Sequence, residues 1–134
     1  MKEADVSVRL SIVLVLLTLS GSAAPAQTPA LGRVMREKLT HSQKILEAIM
    51  TSDFAGLESH SAALSRVTQS SAWSVLNSPE YLRQSSLFVG AARDLVEAAK
   101  QHDLDAAAEH YVTLTRTCFQ CHRYMKNARI GSAK

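Results

Sequence analysis

The sequence predicts an all-α protein, an antiparallel up-down four-helix bundle. Aromatic residues make up 5% of the 134 residues, whereas Ala, Leu and Ser are plentiful. This composition favours helices over a sheet. Apolar residues recur at spacings of three and four, and helix-capping residues divide the pattern into four segments. Four helices of about 20 residues with short links pack as antiparallel neighbours.

The N-terminus is set apart because it has the features of a secretory signal peptide. A basic start precedes an apolar run over 10–19, and Ala24-Pro25-Ala26 fits a cleavage site. The run is too short for a bilayer span, which takes about 20 residues. We predict a signal peptide at 1–26, a bundle domain at 27–134, export to the periplasm, and no stable membrane insertion after cleavage. An uncleaved anchor is the alternative.

The first predicted helix has Thr28 as its N-cap and Pro29 as its first residue, and it ends near Ser52. Asp53 caps a second helix that runs to about Asn77. The spacing predicts that the inner face of the first helix comprises Leu31, Met35, Leu39, Ser42, Leu46 and Ile49. The inner face of the second helix comprises Phe54, Leu57, Leu64 and Val67.

The third and fourth helices have clear start signals. Ser78-Pro79-Glu80 supplies a cap, a proline for the first turn and an acidic residue. Asp103 caps the fourth helix, which Gly131 can end. The predicted inner face of the third helix holds Leu82, Phe88, Val89, Ala92, Leu95, Val96 and Ala99. One face of the fourth carries Ala107, Tyr111, Leu114, Cys118, Cys121, His122 and Met125.

The chemistry-bearing motif is CFQCH at 118–122, which contains both cysteines of the chain. A thioredoxin-like pair normally lies at a helix N-terminus after a strand, whereas this motif lies deep in a helix. A structural zinc site takes four ligands, and the other histidines are scattered. The third interpretation is c-type haem attachment. A disulfide is the main alternative, although a bond within one helical turn is strained.

Helical spacing favours haem. Cys118, Cys121 and His122 stand at i, i+3 and i+4, so they project from one face. Two thioethers can then hold the macrocycle while the imidazole binds iron, and attachment after translocation agrees with an exported chain. We predict one covalent haem c. The net charge is +3 with interspersed signs, so nucleic acid is not an expected partner. No catalytic constellation is apparent, so no enzyme is predicted.

With these residues the chain resembles the cytochrome c prime family of four-helix monohaem cytochromes. The similarity spans nearly all of 31–126 and is carried by Trp73, Pro79-Glu80-Tyr81, Leu95, Ala98-Ala99, Asp103 or Asp105, CFQCH and Lys126. The resemblance implies that His122 is the proximal ligand and that the first helix covers the other haem face. Met35 matches the methionine that is the sixth ligand in the low-spin branch. In the high-spin branch that position cannot ligate.

The chain departs from the family at two positions. Leu31 stands where relatives carry an arginine, which leaves the propionate partner open, with Arg33 and Arg36 nearby on different faces. Met125 stands where relatives carry an aromatic residue. The resemblance implies redox proteins as partners. Relatives often dimerise through their first two helices, so a homodimer is a further candidate.

Several residues compete for the sixth position on the iron. Helical geometry places Met35 on the inner face of the first helix and His41 on its flank. Packing in the core is the other role open to Met35. His60 shares the inner face of the second helix, where a packing role is expected. Residues expected either to line the haem pocket or to fill the core are Trp73, Phe88, Tyr111 and Leu114.

The sequence therefore predicts a periplasmic monohaem c-type cytochrome that carries single electrons. Ligation by methionine and histidine raises the reduction potential and fills the coordination sphere, which suits electron transfer. The alternative is a high-spin haem protein that binds a small gas such as NO or CO. A haem-free helical module with a disulfide is a third class.

Overall fold

The computed structural model describes residues 29–132 and confirms the all-α, antiparallel up-down four-helix bundle. Within this range the elements are α1 (Pro29–Thr51), α2 (Phe54–Val67), α3 (Pro79–Lys100) and α4 (Leu104–Ser132). Consecutive helices pack closely, and α4 also contacts α1. The predicted signal peptide and the Thr28 cap lie outside the described residues. None of the described helices is long and apolar enough to cross a membrane.

The links after α1 and α3 have the same construction. Ser52 and His102 adopt φ angles of 55° and 54°. Each of these residues donates its backbone N–H to a carbonyl of the preceding helix, and so does the aspartate that follows it, as in a Schellman motif. Asp53 and Asp103 then accept a backbone N–H in the first turn of the next helix, each at 2.9 Å. Phe54 stacks on His102, so both links lie at one end of the bundle.

The opposite end of the bundle carries the link between α2 and α3. The predicted second helix was too long, because α2 ends at Val67 instead of near Asn77. The stretch that follows is TQSS, in which the Ser70 hydroxyl accepts the backbone N–H of Ala72 at 3.3 Å. Side chains that bond to nearby backbone compete with the helix. The helix therefore stops before Trp73, which turns back into the core and is 5% exposed.

The buried face of α1 differs from the prediction. Leu39 and Leu46, predicted to point inward, are 59% and 42% exposed. At 3.6 residues per turn the face is rotated by about 60° from the predicted one. The rotation has a physical reason: α1 packs extensively on α2 and much less on α4, so the side toward α2 is covered most. The residues buried on α1 are Val34, Lys38, Ile45, Ala48 and Ile49.

The predicted faces of the other helices are largely confirmed. Leu57, Leu64 and Val67 of α2 are buried. On α3 the exception is Leu82, which is 54% exposed. The predicted start of α3 is confirmed, because the Ser78 hydroxyl accepts the N–H of Tyr81 at 3.2 Å. The buried residues of α3 are Tyr81, Gln84, Phe88, Ala91, Ala92, Leu95, Ala98 and Ala99.

Candidate functional site

A cavity of about 550 Å³ opens at the bundle end where α1 begins and α4 approaches its C-terminus. The up-down topology brings these two helix ends together with the α2–α3 link and the start of α3. Three of the four predicted site residues, Met35, Cys121 and His122, therefore share one cavity. Its lining residues are Leu31, Met35, Lys38, Trp73, Val75, Tyr81, Cys121, His122, Met125 and Lys126.

The CFQCH motif contributes the wall formed by α4. Both thiols are free and partly buried. Cys121 lines the cavity, whereas Cys118, one turn earlier, packs against the hydrophobic core beside it. His122 also lines the cavity, and much of its side chain faces solvent at the mouth. The helix thus presents Cys121 and His122 to the cavity, with His122 exposed at its mouth.

The protonation states of the motif follow from partial burial and one nearby cation. Desolvation by the cavity wall lowers the pKa of His122 from its ordinary value of 6.5, and the positive charge of Lys38 lowers it further. Burial raises the pKa of the Cys121 thiol from 9.0, an effect that the Lys38 charge opposes. His122 is therefore a neutral imidazole at neutral pH, which is the form that binds a metal.

Met35 faces this motif from α1. It is partly buried and packs against the hydrophobic core while lining the cavity. His41, the competing candidate for the sixth position, lies elsewhere. Its Nδ1 is 3.1 Å from Nδ1 of His60, and it lines a second cavity of about 510 Å³ between α1 and α2. Burial, followed by the charge of His60, lowers the pKa of His41. Of the two residues, only Met35 shares the cavity of His122.

The sequence pattern does not single out Lys38, which the structure places at the centre of the site. The residue is 7% exposed. Its Nζ lies 4.0 Å from the ring centroid of Phe88 and 4.9 Å from that of Trp73. Lys38 follows Met35 by three residues, within the apolar stripe of α1. A lysine among the apolar residues of a helix face is the sequence signal that could have identified Lys38.

An aromatic layer closes the cavity on the side of α3. Trp73 and Phe88 stack with centroids 5.4 Å apart, and the Trp73 indole N–H donates to the Ser85 hydroxyl at 3.1 Å. The buried Tyr81 hydroxyl donates to the Trp73 carbonyl. Burial is the largest cause of a raised pKa of Tyr81, so the phenol stays a donor. The Tyr124 and Ser78 hydroxyls, 2.7 Å apart, join α4 to the start of α3.

Not every residue expected around the haem lies in the cavity. Trp73 lines the cavity. Phe88 is not among the lining residues, but its ring contacts the Lys38 ammonium. Leu114 is fully buried in the bundle core. The Tyr111 hydroxyl is 3.4 Å from the Ser42 hydroxyl, outside the set of residues that line the cavity.

No protein-family model, no curated protein and no solved structure matches the chain. The chemistry of the cavity is therefore the basis for assigning a function.

The size and lining of the cavity are those of a small-molecule site. Its volume lies within the range of about 300–1,000 Å³ that such sites occupy, and most of its lining side chains are apolar. Between residues 29 and 132 no group of three or more His, Cys, Asp or Glu residues could hold a metal ion. A haem macrocycle supplies four nitrogen ligands to its iron, so it would need only one or two ligands from the protein. His122 and Met35 are the lining residues predicted for that role.

Proposed function

We propose that the protein is a periplasmic monohaem c-type cytochrome, related to the cytochrome c prime family, that carries single electrons. Cys118 and Cys121 attach the haem, His122 is the proximal ligand and Met35 the distal one. The observation that carries the proposal is that Met35 and His122, from opposite ends of the chain, line the same cavity beside Cys121. Haem, when bound, supplies an iron that changes its charge by one electron.

The residues around the cavity have separate tasks in this proposal. His122 offers a neutral imidazole, because its pKa is lowered by partial burial and by Lys38. Met35 offers a thioether, a soft ligand that favours a raised reduction potential. Trp73 and Tyr81 exclude water from the α3 side of the cavity. A site with both axial positions filled suits outer-sphere electron transfer, in which no substrate binds to the iron.

The test is the visible spectrum of the purified protein in both oxidation states. We expect a low-spin, six-coordinate spectrum with sharp α and β bands in the reduced state, and one haem per chain by mass. Met35→Ala should convert the spectrum to high-spin. Met50→Ala is the matched control, because Met50 lies on the same helix and is 72% exposed. It should leave the spectrum unchanged.

Three outcomes would contradict parts of the proposal. A wild-type protein that is already high-spin and binds CO readily would favour the gas-binding alternative. A change of spin state in His41→Ala, with none in Met35→Ala, would remove Met35 as the ligand. A protein that shows no haem absorption after expression with a c-type maturation system would exclude the cytochrome assignment.

A further inference from the structure

Lys38 lies largely buried in the cavity wall, where its ammonium has no acidic partner in the part of the chain that the structure describes. Its side chain is 7% exposed. The ion pairs formed by described residues are Lys44–Glu47, Arg83–Glu80 and Lys100–Glu97, all at the surface. The partners of the Lys38 ammonium are instead the ring faces of Phe88 and Trp73.

Aromatic rings offset only part of the cost of burying an ammonium group. A buried charge is normally paired, because desolvation otherwise disfavours it strongly. The cavity walls supply no such pair, since no aspartate or glutamate is among the described residues that line it. Lys126 adds a second basic side chain to the lining. The cavity is thus apolar and positively charged.

We propose that Lys38 binds an acidic group of the molecule that occupies this cavity, and that with haem this group is a propionate carboxylate. The identity of the ligand rests on the proposed function, whereas the need for an anion follows from the charges alone. Lys38 lies one turn after Met35 on α1, and both side chains line the cavity, so a haem bound there would be within reach of both. This position supplies the propionate partner that Leu31, Arg33 and Arg36 leave open.

The experiment compares two porphyrins that differ only in their carboxyl groups. Protoporphyrin IX carries two free carboxylates, and its dimethyl ester carries none. Both are titrated, as the iron complex and as the metal-free ring, into the full chain carrying Cys118→Ala and Cys121→Ala, so that binding is reversible. Quenching of Trp73, the single tryptophan and a cavity residue, reports binding. Circular dichroism first establishes that each variant is helical.

We expect the diacid to bind about ten- to a hundred-fold more tightly than the diester, as for a hydrogen bond to a charged group. In Lys38→Met this ratio should fall to near one, and Lys38→Arg should keep most of it. Lys44→Met is the matched control, because Lys44 lies exposed on the same helix in a pair with Glu47. Its ratio should stay at the parent value.

Stability gives a second readout that does not depend on binding. Lys38→Met removes a cation that has no acidic partner among the described residues and keeps an apolar side chain beside Phe88 and Trp73, so the haem-free chain should be no less stable in urea while its preference for the diacid is lost. In the covalent cytochrome the same substitution should lower the reduction potential, because a cation near the iron favours the reduced state.

The outcomes separate this inference from the proposed function. Equal binding of diacid and diester by the Lys38 protein, or an unchanged ratio in Lys38→Met, overturns the role of Lys38 and leaves the cytochrome assignment intact. A Lys38-dependent preference with the metal-free ring, without a low-spin iron spectrum, supports Lys38 and overturns the axial ligands. Failure of all four porphyrins to bind overturns both.

Discussion

Tyr81→Phe tests whether the link between α2 and α3 is held by the hydroxyl at the back of the cavity. Tyr81 is 4% exposed, and its hydroxyl donates to the Trp73 carbonyl. The substitution deletes this bond and leaves the ring in place. The carbonyl keeps a second partner, the N–H of Val75 at 2.8 Å, so it is not left wholly unsatisfied. We therefore expect the loss of one net hydrogen bond, about 1 to 1.5 kcal/mol.

The other two tyrosines provide matched controls with the same chemical change. The Tyr124 hydroxyl is 2.7 Å from that of Ser78 in a partly buried contact, and Tyr124→Phe should cost about 0.5 kcal/mol. Tyr111 has only a long contact of 3.4 Å, to Ser42, and Tyr111→Phe should cost less than about 0.3 kcal/mol. The structure thus predicts a ranking of the three positions as well as a size.

Urea unfolding, followed by far-UV circular dichroism and by Trp73 fluorescence, measures all three variants in the same haem form. A loss of about 1 kcal/mol corresponds to a fall in Tm of roughly 4–8 °C for a domain of this size. Equal losses for Tyr81→Phe and Tyr111→Phe would refute the reasoning, because burial and hydrogen-bond geometry would then have no bearing on the cost. A loss confined to the fluorescence transition would show that the link opens separately from the bundle.

Three further predictions concern stability. Ser61→Ala should raise the free energy of unfolding by about 1 kcal/mol, because the fully buried hydroxyl has no hydrogen-bond partner among the described residues. Ser59→Ala is the control, because Ser59 is exposed, and it should change the free energy of unfolding by less than about 0.5 kcal/mol. Ser52→Gly should raise Tm, with a gain of about 0.5 kcal/mol, because Ser52 has a φ of 55°; an unchanged Tm would mean that serine fits there without strain. Burial, followed by the charge of His60, lowers the pKa of His41 in the folded protein. As the pH drops below about 6.5, the unfolded chain therefore takes up the His41 proton before the folded chain does, and the free energy of unfolding falls. His41→Gln should flatten this decline in urea titrations, and an equally steep decline would remove His41 from its cause.

Local chemistry explains why most helix boundaries could be predicted. Ser78 caps α3 through its own side chain, and Asp53 caps α2 in the same way, so both signals are complete within a few residues. The end of α2 was missed because apolar residues continue to Trp73 and Leu76, although the helix ends at Val67 and the Ser70 side chain bonds to the backbone of the link. An apolar residue can be buried because the helix continues through it or because a link after the helix folds back onto the core. Periodicity alone does not distinguish these two arrangements.

The CFQCH part of the candidate site could be recognised from local sequence in the same way. The spacing of Cys118, Cys121 and His122 fixes a common helix face whatever surrounds it. Which residues lie opposite depends on how α1 is rotated, and apolar periodicity alone predicted that rotation incorrectly. Met35 lies in the middle of the predicted face and outside the most buried side of α1, yet it is partly buried and lines the cavity. Lys38 stands within the same apolar periodicity, but its contacts with Phe88 and Trp73 follow only from helix packing.

The sequence by itself determined the helical class, the caps of α2, α3 and α4, and the common helix face of the CFQCH motif, because each depends on residues close together along the chain. Only the tertiary structure decided that α1 buries its Val34 and Lys38 side, since that orientation reflects close packing on α2 and much weaker packing on α4, which is distant in sequence. The same packing separates His41 from the cavity and brings Lys38, with its ammonium over the Phe88 and Trp73 rings, beside Met35 and His122. The contacts of that charge depend on residues far apart along the chain, which no local spacing encodes.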